Sequence, residues 1–145
     1  MQLFRTDWGA GRTMYKALAP RAIAANVAFE ALRQTIPAGY LLADKQFIVR
    51  HQGFASASTT WATTLTLGGT VLSSATLSGV SSFDRELTFI PDRVNNKIYI
   101  IRDTKSAVDV LEVAYTAWAV AADVVLSVTA GRDGKILTTR STEYR

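Results

Sequence analysis

Apolar and polar residues alternate along most of this chain. From Trp61, one side of an extended backbone carries Trp61, Thr63, Leu65 and Leu67 and the other Ala62, Thr64 and Thr66. Gly68-Gly69 then turns into Val71–Leu77, which predicts a hairpin. Arg85–Ile90 places Leu87 and Phe89 on one face and is closed by Pro91. Val94-Asn95-Asn96-Lys97 reads as a turn, since Asn tolerates positive φ, and leads into Lys97–Arg102. Leu111, Val113, Tyr115, Ala117 and Ala119 alternate with Glu112, Ala114, Thr116 and Trp118, and Val124–Thr129 follows as another strand. Asp133-Gly134 predicts a hairpin into the last strand, Lys135–Tyr144. With Gln46–Phe54 the total is about eight strands, at the spacing of a sandwich or barrel.

One segment opposes that pattern. Residues 20–34 are rich in alanine, Pro20 suits a first helical position, and Ile23, Val27 and Ala31 sit four apart. Against a helix, Leu32, Gln34 and Ile36 alternate with Arg33 and Thr35 into Pro37, and pairing in a sheet often overrides propensity. The reading is a strand over 28–36, with room for a helical turn before Asn26.

Composition narrows the chemistry. The 145 residues fit one domain, with 48% apolar residues to fill its core. No cysteine is present, so disulfides, thiolate metal sites and thiol nucleophiles are excluded, and the single histidine, His51, removes any site needing two imidazoles. The longest apolar run, Val113 to Val128, is interrupted by Asp123 and is too short to span a bilayer, so no membrane partner is expected. The formal charge is +4, and residues 1–21 hold Arg5, Arg12, Lys16 and Arg21 against only Asp7, so +3 of it lies there. The division predicted is a basic N-terminal anchoring arm, 1–21, and a β-domain, 22–145. Such an arm meets an acidic partner or is simply solvated. Arg5, Trp8, Arg12, Tyr15 and Lys16 are the candidate protein-interface residues, because Trp8 and Tyr15 stand outside the strand pattern beside cations.

The runs Glu30-Ala-Leu-Arg-Gln-Thr-Ile-Pro-Ala-Gly39, Phe47-Ile-Val-Arg-His-Gln-Gly53 and Thr64-Leu-Thr-Leu-Gly-Gly-Thr70 resemble the jelly-roll domain of accessory virion proteins of tailed bacteriophages. That group includes head fibres, capsid decoration proteins and tail appendages. Ala114-Tyr-Thr-Ala-Trp118 and Ala121-Ala-Asp-Val-Val-Leu-Ser-Val128 resemble its closing strands. The resemblance covers most of 28–145 and rests on turn chemistry and alternation. It implies an antiparallel jelly-roll β-sandwich and a structural role on the particle surface, after synthesis in the host cytoplasm. The implied partners are the major coat protein or other virion subunits, with self-association as a homotrimer. The alternatives are a tail or fibre adhesin contacting host glycans and a free carbohydrate-binding module. Nucleic acid is not the expected partner, because the body shows no basic stripe interleaved with aromatics.

No catalytic site, cofactor or metal ion is expected. His51 reads as a hydrogen-bonding structural residue on a strand. Asp84 and Glu86 share a face, and Arg85 and Arg93 are expected to bind them in a salt-bridged loop rather than leave a glycosidase pair. Asp92, Asn95 and Asn96 fit a turn better than a calcium loop. Gly9 and Gly11 lack the Gly-Lys-Ser/Thr of a phosphate loop. Trp61, Leu65, Leu67, Leu87 and Phe89 are expected in the core.

Overall fold

A computed structural model describes residues 12–41, 45–104 and 111–144. These form nine strands: β1 (Arg12–Ala17), β2 (Arg21–Ile23), β3 (Ala28–Ile36), β4 (Gln46–Leu67), β5 (Thr70–Asp92), β6 (Lys97–Asp103), β7 (Leu111–Ala114), β8 (Ala122–Ala130) and β9 (Gly134–Tyr144). The named strands all pair antiparallel in one sheet, and no helix occurs among the described residues.

β4 and β5 set the shape. Both are long enough to pass through a corner, and β4 pairs with β5 along nearly its whole length, interrupted by bulges between Phe54 and Trp61. Its other edge takes β9 over Gln46–Ala55 and then β8 over Trp61–Leu67. β3 continues the sheet beyond β8, β1 and β2 lie beyond β9, and β6 and β7 extend it from the C-terminal part of β5. The two halves fold towards each other. Arg21 Nη1 donates to the Ala31 carbonyl at 2.7 Å, Gln34 Nε2 to the Met14 carbonyl at 3.3 Å and Ser141 Oγ to Gln34 at 3.0 Å, so side chains join β3 to β1, β2 and β9.

The expected alternation holds through the corner. Phe47, Val49, His51, Trp61, Leu65 and Leu67 of β4 all point inward, as do Leu87 and Phe89 of β5, and all are buried. The break expected between Phe54 and Trp61 is absent: small residues there let β4 bulge without leaving the sheet. Gly68 and Gly69 make the two-residue turn, with φ of 56° and 83°. The strand over 28–36 forms as expected; Asn26, at φ 59°, precedes it in a turn rather than a helix.

Two expectations are corrected. Asp133-Gly134 makes no hairpin: β8 and β9 run end to end along the same edge of β4, and the chain only kinks over 131–133. Gly134 serves close packing, because a Cβ there would lie 2.6 Å from Trp61 Cη2. The strand expected over 111–119 stops at Ala114, after which Tyr115 and Trp118 pack edge to face, 4.9 Å apart, over one end of the core. Strand β1 lies inside the segment read as an arm and β2 spans its end, so the predicted boundary at residue 21 falls within paired structure.

Candidate functional site

Arg12, Tyr15 and Lys16 lie on β1, which pairs with β9; Arg5 and Trp8 lie outside the described residues, as do Gly9 and Gly11. Two of the three are engaged within the chain. Arg12 donates to Tyr40 Oη and lies 3.3 Å from Glu143 Oε2, which also accepts from Tyr40 and sits 3.5 Å from Lys45 Nζ. Burial opposes ionisation of Glu143, yet the Tyr40 hydroxyl, Lys45 and Arg12 together hold its carboxyl below the usual range. Tyr15 packs against the core and donates to the Ala31 carbonyl at 3.3 Å.

Lys16 is different: it is exposed on the outer face, and the register places it opposite Arg140, which lies opposite Arg50. Three cations therefore stand in one row across β1, β9 and β4, on strands about 4.8 Å apart. Like charges directly opposed destabilise a sheet pair. Arg50 is compensated by Asp84, at 3.0 and 2.6 Å through Nε and Nη2. The hydrogen bond and charge of Asp84 push the Arg50 guanidinium's proton affinity up, and the same bond lowers the Asp84 pKa. No ion pair with Lys16 or Arg140 occurs among the described residues. Among the described residues the outer face thus carries an uncompensated basic edge across β1 and β9. Cross-strand register creates it, and residues 16, 50 and 140 give no local signal of it.

The remaining candidates separate. Asp84 and Glu86 do share the outer face, but their partners are Arg50 and Arg102, the latter at 3.7 Å. Arg85, expected in a surface loop, instead points inward and is buried. It bonds Asp103 at 3.2 and 2.7 Å, Ser73 at 2.6 Å and the Thr63 hydroxyl, tying the two halves of the sheet together. His51 is buried beside it, edge-on to Phe83 at 5.2 Å, and neither ring nitrogen has a hydrogen-bond partner. The expected hydrogen-bonding role is therefore corrected. Burial, and then the Arg85 charge, push its pKa down to about 3, against opposing attraction from Asp84 and Asp103, so the ring is neutral at pH 7. Asp92 caps the turn after β5, accepting from the Asn95 amide at 3.2 Å and from Tyr99 Oη at 3.1 Å, while Asn96 accepts from Trp118 Nε1 at 2.8 Å. No cluster of three His, Asp or Glu able to hold a metal occurs among the described residues.

No family model and no curated protein matches the chain. The reading of function rests on the residues themselves.

A second feature lies on the same outer face. Phe54 is 46% exposed, and Lys135 and Ser82 are its cross-strand neighbours. It borders a cleft of about 500 Å³ lined by Ala22, Ala24, Ser56 and Asp133 among others. The small side chains of Ala22 and Ala24 leave this space open beside the ring.

Proposed function

We propose that this chain is a structural subunit of a tailed-bacteriophage particle. In this reading a jelly-roll domain is fixed to the shell, or to a capsid-associated appendage, by its N-terminal segment and the basic row. The observation that carries it is the uncompensated Lys16–Arg140 pair beside Arg50, a cross-strand repulsion that an acidic partner surface would relieve. The long β4 and β5 strands, turning through a shared corner, support the jelly-roll reading, and the sequence resemblance supplies its phage context. Function is then binding: a surface that meets only the assembled shell stabilises it by mass action.

Lys16→Glu tests this with opposite signs on two readouts. The new carboxylate faces Arg140, so the melting temperature should hold or rise, by a cross-strand pair of about 0.2–1 kcal/mol. Incorporation into purified particles should fall at least tenfold. Unchanged incorporation of Lys16→Glu combined with Arg5→Glu would refute the contact.

The exposed Phe54 cleft favours a second reading, an adhesin contacting host glycans, since ligand sites combine an apolar wall with a few polar groups. Under it, Phe54→Ala particles assemble normally but adsorb poorly to host cells. Normal adsorption removes this reading.

A further inference from the structure

We propose that the outer edge of β5 between Thr70 and Leu77 pairs antiparallel with the same edge of a second copy of this chain, about a twofold axis. The inference is independent of the particle reading above.

β5 meets β6 only through Leu87–Asp92, and Thr104 extends that contact to Glu86. From Thr70 to Leu77 one edge of β5 pairs with β4, and no strand among the described residues pairs with the other. Every second residue there presents a backbone N–H and C=O outward, and an extended strand satisfies such a row. Proteins protect free edges with charges, proline or cover. The other free edges of this sheet follow that rule. β1 carries Arg12 and Lys16, β2 Arg21, β3 Glu30 and Arg33, and β7 Glu112. The β5 edge does not, since residues 51–83 contain no Lys, Arg, Asp or Glu.

Charge also selects the occupant. Each copy carries a formal +4, so self-association is least opposed where the contact holds no charge, and the edges bearing Arg12, Lys16 or Arg21 would set cations against one another. In a twofold antiparallel pair, residues of like facing must oppose one another. An axis through Ala75 achieves this: Ala75 meets its own copy, Ser74 meets Thr76, and Ser73 meets Leu77. Ser74 and Thr76 are exposed on the outer face, where their hydroxyls can bond across the axis as Thr64 and Ser74 already do at 3.2 Å. The pairing would join β3, β8, β4 and β5 of both copies into one continuous sheet. A homotrimer, by contrast, would set this edge against a different and charged one.

Sedimentation of the full chain across the micromolar range should give a monomer–dimer equilibrium. Ser74→Lys/Thr76→Lys places cations opposite one another at two symmetric positions and should weaken the dimer by about a hundredfold. Thr129→Lys, a lysine on the sheet away from the edge, should leave it intact. Because the chain has no cysteine, Ala75→Cys should form a covalent dimer on oxidation, and Thr129→Cys should not. A monomeric or trimeric mass for the unmodified chain overturns the proposal. So does a dimer indifferent to the edge lysines, or an Ala75→Cys protein that stays uncrosslinked.

Discussion

Lowering the pH from 7 to 5 should cost this protein about 2 kcal/mol of folding stability, nearly all of it through His51. In the unfolded chain the imidazole takes up a proton near 6.5; in the folded chain it does so only at about 3. Between those values the unfolded state binds more protons. The contribution is therefore fully present above about 6.5 and is lost progressively as the pH falls towards 3. Acidic groups with lowered pKa, such as Asp84, Asp123 and Glu143, add their own losses only below the ordinary carboxylate range. His51 is the sole histidine, so the window from pH 7 to 5 isolates it. His51→Leu should be flat across that window, and at pH 7 at least as stable as the parent, because it removes two ring nitrogens that are buried without partners. Urea unfolding at the two pH values reads both effects. A parent protein with no pH dependence there would show that the imidazole is not desolvated.

Arg85→Met should cost about 3–5 kcal/mol, since it removes a buried guanidinium that bonds Asp103, Ser73 and Thr63 between the halves of the sheet. Removing both charges, as Arg85→Met with Asp103→Leu, should cost clearly less than the two single changes added together, because a buried pair is more expensive to break than to replace. Strict additivity of the three unfolding free energies would mean that the pair does not couple the halves. Ser73 and Thr63, which also bond the guanidinium, belong to the opposite half from Arg85, so loss of this cluster should loosen the corner rather than the hairpin turn at Gly68-Gly69.

Both residues show what the sequence made legible. Residues sharing the parity of Phe47, Val49 and Trp61 face inward, and the alternation identifies most of this stripe. His51 has the same parity, so its burial was readable; its lack of hydrogen bonds was not, because that depends on Phe83 and Arg85 arriving from β5. Arg85 shares parity with Phe83, Leu87 and Phe89, an inward signal masked by acidic neighbours on either side. Asp133-Gly134 was misread because the same dipeptide suits a hairpin and a kink, and only the Trp61 ring beneath Gly134 decides between them. β1 was hidden for another reason. Its charge suggested an arm, whereas the partner that makes it a strand, β9, lies over a hundred residues away in sequence. The basic row is a product of that same pairing, so the site became visible only with the register.

The central claim, that this chain is a structural subunit of a particle, is tested most directly by its copy number. Quantitative mass spectrometry of purified, intact phage particles encoding it would give its ratio to the major coat protein. The account predicts a fixed, reproducible ratio that survives extensive purification: hundreds of copies for a decoration protein, a handful for a vertex or tail component. Absence from purified particles, with the protein abundant in the infected-cell lysate, would contradict it.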